Sequence, residues 1–287
     1  MEITNNQILL LGLPESGKTS FLAAFYHFID SDVEDKPLSQ ARYSKNTTYL
    51  NYIVSKWLNC ELIGRTAEST GASTKEVILH LVDNQKKIQF DLNMPDMAGE
   101  SFVRQYTDRT WEQEYKVQAE NSEGSILFIN PSKVRAHVLI DEIAGVLQAF
   151  GDEPEDLAEQ VDFNAEKSPS QVMLVDILAG HAETLFGKLQ KIAIVISAWD
   201  EQMASHKSPA KWLEKNMPLL NQYLITNPEL FQFKVFGISA QGGSISEAES
   251  VLSLRKVPEP AERIIVQEED KTHKNICAPI EWIINEW

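Results

Sequence analysis

The sequence predicts an α/β fold, a three-layer sandwich in which a mostly parallel sheet lies between layers of helices. Strand-like and helix-like segments alternate along most of the 287 residues, which is typical of this architecture. Two adjoining strand patterns, joined by a short polar turn, add one antiparallel hairpin. Because the chain shows no internal repeat and no clear linker, we expect a single domain over residues 1–287, with insertions at about 31–64 and 133–187.

The N-terminal half starts with a short apolar run, QILLLGLP, which predicts a buried central strand. The next segment, KTSFLAAFYHFI, predicts a helix with Phe21, Phe25, Phe28 and Ile29 on one face. A polar stretch then predicts a loop and part of a second helix that reaches Trp57. Alternating apolar residues in KEVILHLVDNQKKIQFDLNMPD predict the hairpin, and ESFVRQYTDRTWEQEYKVQAE predicts a polar helix.

The C-terminal half contains three further buried strands, predicted by SILFINP, KIAIVISAWD and FQFKVFGISA. Between the first two, the sequence of residues 133–187 predicts mostly helix, interrupted by an acidic segment that predicts a surface loop. The segment SPAKWLEKNMPLLNQYLI predicts a helix that begins after an N-cap at Ser208. Residues 244–276 are polar and predict a loop before a closing helix in APIEWIINEW.

The composition narrows the class of protein. Asp and Glu number 42 against 26 Lys and Arg, a net charge of −16 that argues against a nucleic-acid surface. The two cysteines, Cys60 and Cys277, provide neither a disulfide framework nor a zinc site. No signal-peptide pattern and no apolar run of membrane-spanning length is visible. We therefore expect a cytoplasmic protein without an integral membrane segment.

The pattern Gly12-x-x-x-x-Gly17-Lys18-Thr19 has the spacing of a phosphate-binding loop (P-loop). The two glycines allow successive backbone N–H groups to point at phosphate oxygens, and the following helix adds its N-terminal partial charge. Lys18 is expected to reach the β- and γ-phosphates, and the Thr19 hydroxyl to bind Mg²⁺. The alternative is an ordinary glycine-rich turn, but the preceding apolar strand and following helix favour a P-loop NTPase.

A second motif, Asp96-Met97-Ala98-Gly99-Glu100, follows the predicted hairpin. A carboxylate at the end of a strand beside a phosphate loop can hold Mg²⁺ directly or through water, which is the role expected of Asp96. Gly99 allows its backbone N–H to approach the γ-phosphate. Alone, such a motif is usually only a turn, and its position after the hairpin is what makes it informative.

With these motifs the chain resembles the P-loop GTPases of the Ras-like, translation-factor-related (TRAFAC) class. In that family the loop, a switch I threonine, D-x-x-G, [NT]-K-x-D and S-A-[KL] occur in this order. Here Ser197-Ala198-Trp199-Asp200 aligns with the fourth motif, and Ser239-Ala240-Gln241 aligns with the fifth. The resemblance extends from residue 7 to residue 243 and implies a large, divergent member with insertions.

The resemblance implies that Asp200 recognises guanine, because a carboxylate accepts from guanine N1–H and the 2-amino group and cannot pair so with adenine. The alternative is a strand-end aspartate that caps the next helix. Ser197 and Ala198 depart from the family pattern, and Trp199 is a candidate for apolar stacking on the base instead. The residues expected to bind the nucleotide are Gly12, Pro14, Glu15, Ser16, Gly17, Lys18, Thr19, Ser20, Gly99, Asp200, Ser239 and Ala240.

The resemblance also implies where hydrolysis would be controlled. Glu100 stands where Ras-like members carry the water-orienting glutamine, so we expect slow or partner-dependent hydrolysis. Thr70 is the favoured switch I threonine and Mg²⁺ ligand, with Thr66 and Thr74 as alternatives. Arg65, just before them, is either a built-in arginine finger or an ordinary surface arginine.

The sequence therefore predicts a Mg²⁺-dependent protein that binds GTP and GDP, a slow GTPase that acts as a switch for protein partners. Two alternatives stay open: a pseudo-GTPase scaffold with little or no hydrolysis, and a P-loop ATPase or small-molecule kinase. The changed Ser197 and Ala198 favour the scaffold, whereas intact Lys18, Thr19 and Asp96 argue against it. Asp200 and the later Ser-Ala pair argue against the ATPase or kinase.

Overall fold

A computed structural model of the chain describes residues 6–32, 34–64, 76–95, 99–136, 164–185 and 187–285. Within these residues one sheet contains β1 (Gln7–Leu11), β2 (Leu38–Arg42), β3 (Val77–Asp83), β4 (Gln89–Met94), β5 (Ser122–Ile129), β6 (Gln190–Ser197), β7 (Phe231–Ser239), β8 (Ile265–Glu268) and β9 (Lys271–His273). Their spatial order is β2-β3-β4-β1-β5-β6-β7-β8-β9.

The middle of the sheet is parallel and both flanks are antiparallel. Strands β4, β1, β5, β6 and β7 run in one direction. The predicted hairpin is the antiparallel β3–β4 pair, and β2 extends it to one edge of the sheet. The predicted α/β fold class is confirmed, with more antiparallel edge strands than the single hairpin that the sequence indicates.

Helices cover both faces of this sheet. They are α1 (Lys18–Asp30), α2 (Thr47–Leu58), α3 (Glu100–Asp108), α4 (Gln113–Glu120), α5 (Ser170–Thr184), α6 (Pro209–Asn216), α7 (Pro218–Thr226), α8 (Ala248–Arg255) and α9 (Ala278–Ile284). The helices α1, α2 and α9 contribute to the hydrophobic core on one face, and α3 to α7 to the core on the other.

Strand β1 is a central strand of the sheet and is covered by helices on both faces. Ile8 and Leu10 are buried in one core, and Leu9 and Leu11 are buried in the other. Because successive side chains of a strand point to opposite faces, a strand covered on both sides needs a continuous apolar run. The QILLL run supplies it and places the start of the phosphate loop at the carboxyl end of a buried central strand.

The predicted loop at 244–276 is wrong in the structure. This segment contains α8 and two strands at the edge of the sheet, of which β8 pairs with β7 and β9 pairs with β8. Polar residues dominate the composition, but Ile264 and Val266 are fully buried and supply enough apolar surface for a short edge strand.

Two predicted helices are each divided in two. The helix expected over residues 100–120 breaks at Arg109, whose φ of 54° is left-handed, into α3 and α4. The helix expected after Ser208 breaks at Met217, because Pro218 disfavours a helical conformation for the residue before it. The predicted N-cap is confirmed, since Ser208 Oγ accepts a hydrogen bond from Lys211 N at 3.3 Å.

The insertion at 31–64 contains β2 as well as the expected helix, α2, which carries Trp57 in its last turn. The polar composition of Leu38–Arg42 predicts a loop and not a strand. In the structure Leu38 is the one buried residue of this strand. Among the described residues, no helix combines the length and apolar character needed to cross a bilayer.

A buried histidine in the core formed with α3 to α7 makes the free energy of unfolding depend on pH. His181 of α5 is fully buried, with Nδ1 3.2 Å from the Tyr115 hydroxyl and Nε2 3.4 Å from the Ser125 hydroxyl. Burial lowers the pKa of His181 to about 4, so the folded protein keeps the imidazole neutral. Because an unfolded histidine titrates near 6.5, the unfolded chain binds a proton that the folded chain excludes between these values.

We expect this site to lower the free energy of unfolding as the pH falls from 7 to 5, by about 2 kcal/mol. Urea denaturation across this range measures the change. The His181→Gln variant, which cannot take up the proton, isolates the histidine from the carboxylates of the chain. Equal pH dependence in the two proteins would contradict the assignment.

Candidate functional site

The phosphate-loop sequence connects the carboxyl end of β1 to the start of α1. Gly12, Glu15 and Gly17 have φ values of 148°, 58° and 98°, the positive range that glycine adopts readily. A Cβ at Gly12 would lie 2.7 Å from Ser16 Oγ and 2.8 Å from the Phe128 carbonyl oxygen. The tight turn therefore requires the absence of a side chain at this position.

Lys18 reaches back into this loop. Its side chain is buried, and Nζ donates to the carbonyl oxygens of Gly12 at 2.7 Å and Leu13 at 3.1 Å. A buried ammonium held by backbone carbonyls is placed where anionic phosphate oxygens can approach it. Glu15 is the nearby charge of opposite sign, and its exposed carboxylate pairs with Lys133 Nζ at 2.6 Å.

The segment that starts α3 lies directly against the loop. Gly99 has a φ of 75°, and a Cβ there would be 2.8 Å from both the Gly12 carbonyl oxygen and Lys18 Nζ. The structure therefore places Gly99 beside the loop, and the approach of its N–H to a γ-phosphate stays a prediction. Glu100 is exposed and lines the same cavity as Lys18.

A cavity of about 290 Å³ opens over the loop. Residues 14–20 form one wall, so Pro14, Ser16, Thr19 and Ser20 all line it. The insertion contributes Trp57 and residues 61–64 to the lining of the same cavity. Of the residues predicted to bind the nucleotide, those from Pro14 to Ser20 thus line one cleft.

A second cavity of about 130 Å³ adjoins the first and shares Gly17 and Ser20 with it. Its other lining residues include Asp200, Ser239 and Ala240, from the ends of β6 and β7. Ligand sites in α/β proteins are found outside the carboxyl ends of the strands, and small-molecule pockets span roughly 300–1,000 Å³. The two cavities together reach the lower part of that range.

Ser197, at the end of β6, lines the second cavity and is hydrogen-bonded to the phosphate loop. Its hydroxyl donates to the Ser16 carbonyl oxygen at 2.8 Å and lies 3.4 Å from that of Ile129. The serine at this changed motif position thus holds the outer side of the phosphate loop. Ala198 follows with a φ of 48°, and the half-buried Asp200 lies just beyond it.

The idea that Trp199 stacks on a base is wrong. Its side chain is fully buried, and Nε1 donates to Gln267 Oε1 at 2.8 Å. The indole covers Gly237 so closely that a Cβ there would lie 2.4 Å from the ring. Trp199 therefore belongs to the core beside β7 and not to the cavity.

Asn130 is a site residue that the sequence reasoning missed. It follows β5 directly, lines both cavities, and donates from Nδ2 to the Glu15 carbonyl oxygen at 3.0 Å. The available signal is a polar residue at the carboxyl end of a buried strand, the same signal that identifies Asp200. Trp57 and Gln241 also line the first cavity and were missed, since their proximity depends on contacts between distant segments.

The remaining predicted residues fall outside the described part of the chain. These are Arg65, Thr66, Thr70, Thr74 and Asp96. Within the described ranges, no group of three His, Cys, Asp or Glu side chains is arranged to hold a metal ion. The residues present do fit a phosphate-bound Mg²⁺, because the Thr19 hydroxyl lines the same cavity as Lys18 and oxygen donors suit this metal.

The loop geometry predicts a defect in Gly17→Ala. The new Cβ would lie 2.7 Å from Ser197 Cβ and Oγ, so the loop would have to move away from its anchor. We expect nucleotide affinity to fall by at least about tenfold, since misplaced backbone donors lose their charge-assisted hydrogen bonds. Calorimetric titration with GDP measures the loss.

Gly187→Ala is the matched control for Gly17→Ala. Gly187 also has a positive φ, 76°, but a Cβ there would meet no atom within 4 Å. Both variants should lose about 1 kcal/mol of stability through backbone strain. Only Gly17→Ala should lose affinity, and an equal loss in both would contradict the steric explanation.

A phosphate loop at the centre of a mostly parallel sheet, with a cleft along the carboxyl ends of β1, β6 and β7, defines a P-loop nucleotide-binding protein. The sequence model of the family described as double-GTPase 1 matches residues 9–283. The chain belongs to this family. The resemblance to P-loop GTPases is thereby confirmed and the protein is a GTP-binding protein, while the translation-factor-related subclass stays a prediction.

Several solved GTPase structures are similar to this chain. Bacterial selenocysteine-specific elongation factor EF-Sec shares 10% identity at a TM-score of 0.34, over 89% of this chain and 29% of that one. The GTP-bound GTPase-like domain of S. cerevisiae Ski7 shares 16% at 0.37, over 89% and 46%. The SRb-GTP/SRX complex of Chaetomium thermophilum shares 12% at 0.39, over 83% and 92%.

This chain therefore spans less than half the length of the first two of these structures. A comparison with curated proteins finds no match.

Proposed function

We propose that this protein is a Mg²⁺-dependent GTP switch that hydrolyses GTP slowly and controls protein partners. The observation that carries the proposal is the pair of adjoining cavities. One is lined by Lys18 and Thr19, which suit phosphates and Mg²⁺, and the other by Asp200 and Ser239, which suit a guanine base. A ligand with a polyphosphate at one end and a polar base at the other fits this arrangement.

At the phosphate end, the chain supplies positive charge and backbone donors. The buried Lys18 ammonium exchanges its carbonyl partners for phosphate oxygens, and the loop N–H groups donate hydrogen bonds to the remaining phosphate oxygens. Ser197 and Asn130 hold the outward carbonyls of Ser16 and Glu15, which keeps the loop in this shape before ligand arrives.

Thr19, Asp96 and Thr70 are the residues that would hold Mg²⁺. When bound, the metal neutralises charge on the β- and γ-phosphates. Of the three, Thr19 is in the described part of the chain and lines the phosphate cavity. The roles of Asp96 and Thr70 rest on the motif order.

At the base end, Asp200 is proposed to accept from guanine N1–H and the 2-amino group. Adenine offers neither donor in that arrangement, so its binding would leave the carboxylate unpaired in a half-buried site. Ser239 and Ala240 complete this end of the pocket at the carboxyl end of β7.

Hydrolysis is proposed to be slow because Glu100 replaces the glutamine of Ras-like members. Its carboxylate can accept a hydrogen bond from the attacking water but adds negative charge near the γ-phosphate. Arg65 is the candidate for the compensating positive charge. Order in the segments around Thr70 and Gly99 would then depend on the γ-phosphate and would be read by a protein partner in the cytoplasm.

Phosphate release from GTP under single-turnover conditions tests this function. We expect a rate on the order of 10⁻⁴ s⁻¹, that of an unassisted GTPase, and a faster rate in Glu100→Gln. Tight GTP binding without any release would favour the pseudo-GTPase scaffold. Release from ATP at an equal rate would favour the ATPase or kinase.

A further inference from the structure

The C-terminus of α2 is held by two arginines from the distant end of the chain. Arg263 donates to the carbonyl oxygens of Leu58 at 3.3 Å and Trp57 at 3.4 Å. Arg255 donates twice to the Asn59 carbonyl oxygen, at 3.0 and 2.7 Å. The last carbonyls of a helix have no intrahelical partner and carry partial negative charge, so two guanidinium groups stabilise this end.

The same helix end is bonded to the loop after β7. Trp57 Nε1 donates to the Ala240 carbonyl oxygen at 2.9 Å. Gln241 Nε2 donates back to the Trp57 carbonyl oxygen at 3.3 Å and lies 3.1 Å from Cys60 Sγ. Because the peptide unit is planar, fixing the Ala240 carbonyl also fixes the peptide that it shares with Gln241.

Arg263 is the centre of this contact. Its guanidinium lies 4.5 Å from the centre of the Trp57 ring and 2.9 Å from Cys60 Sγ, and the residue is only 4% exposed. A cation at this distance from an indole face is attracted to it, most strongly when both groups are shielded from water. The buried Trp57, Cys60 and Arg263, together with the half-buried Gln241, therefore form one unit, here called the α2 anchor.

Beyond the α2 anchor the chain turns at Cys60, whose φ is 54°, and enters residues 61–64. These residues line the larger cavity together with the phosphate loop. Residues 65–75, which contain the switch I threonine candidates, follow directly in sequence. The α2 anchor thus joins the loop at the base end of the pocket to the wall at the phosphate end.

We propose that Gln241 and Arg263 are positioning residues for guanine recognition. Acting through Trp57, they hold the Ser239-Ala240 loop in the shape that binds the base. They also fix the position of residues 61–64 relative to that loop. This inference rests on the proposed function of the same pocket. The Gln241 amide provides the hydrogen bond to the Trp57 carbonyl oxygen, which an aliphatic side chain at this position could not make.

Two variants test the α2 anchor, Gln241→Leu and Arg263→Met. Their affinities for fluorescent GDP and for ADP are compared with those of the wild-type chain. GDP affinity should fall by about tenfold through faster dissociation, because the base loop is no longer held. ADP does not use the guanine contacts, so its weaker affinity should change by less than about twofold.

Gln232→Leu is the matched control, since Gln232 is an exposed residue on β7 to which the same substitution applies. It should leave both affinities unchanged. Thermal unfolding reports whether each variant is folded, and Gln241→Leu decides the question where Arg263→Met does not fold. Equal losses for GDP and ADP, or no loss for either, would overturn the positioning role. Failure of the wild-type chain to bind GDP would instead overturn the proposed function on which it rests.

Discussion

The Lys18→Met variant is expected to lose nearly all affinity for GTP, by about 1000-fold or more, which corresponds to about 4 kcal/mol. The ammonium is buried, and Nζ is bonded to the Gly12 and Leu13 carbonyl oxygens at the centre of the loop. Methionine has a similar length but no charge and no donor. It would therefore leave the phosphates without their main counter-charge in a partly desolvated site.

Calorimetric titration with GTP and Mg²⁺ measures this loss. Lys215→Met is the matched control, since Lys215 is exposed on α6 and lines none of the cavities described above. The Lys18→Met protein should keep its fold, because the substitution removes a buried charge without leaving a cavity. Unchanged GTP affinity in a folded variant would exclude the loop as the phosphate site.

The Asp200→Asn variant is expected to lose about 100-fold in GDP affinity. Asp200 is half-buried in the smaller cavity, where its carboxylate can accept the two N–H donors at the edge of guanine. The asparagine amide presents a donor to one of these positions and cannot satisfy both. Xanthine has a carbonyl where guanine has the 2-amino group, so the amide suits xanthosine diphosphate, whose affinity should rise.

Competition titrations with GDP, xanthosine diphosphate and ADP measure this exchange of preference. Asp270→Asn, at an exposed turn residue between β8 and β9, removes the same charge away from the pocket. It controls for the change in net charge and should leave the order of affinities unaltered. An Asp200→Asn protein that kept the wild-type preference would show that another residue reads the base.

The part of the site that could be predicted from the sequence depends on local signals. Strand β1, the loop and α1 are contiguous, so an apolar run, two glycines and an amphipathic segment suffice to indicate them. Gly12 and Gly17 have positive φ values, which agrees with the expectation that these glycines allow the backbone to turn in the loop. The fold class could be predicted on the same basis, because β1, β5 and β6 each contain a continuous apolar run.

The parts that could not be predicted depend on contacts between distant segments. Trp57 and Ala240 are 183 residues apart, and nothing near either residue indicates that they meet. Trp199 was wrongly expected at the base, because its burial depends on Gln267, which is 68 residues away. The strands β8 and β9 were missed because their length and polarity are those of a loop, and the pairing of β8 with β7 and of β9 with β8 decides their conformation.

The cleft at the carboxyl ends of β1, β6 and β7 is proposed to bind a guanine nucleotide. The most direct measurement is the ratio of GTP to ATP affinity for the wild-type chain, by calorimetry in the presence of Mg²⁺. We expect GTP to bind about 100-fold or more tightly than ATP, since adenine leaves Asp200 unpaired. Equal affinity for the two nucleotides, or no binding of either at micromolar concentration, would contradict it.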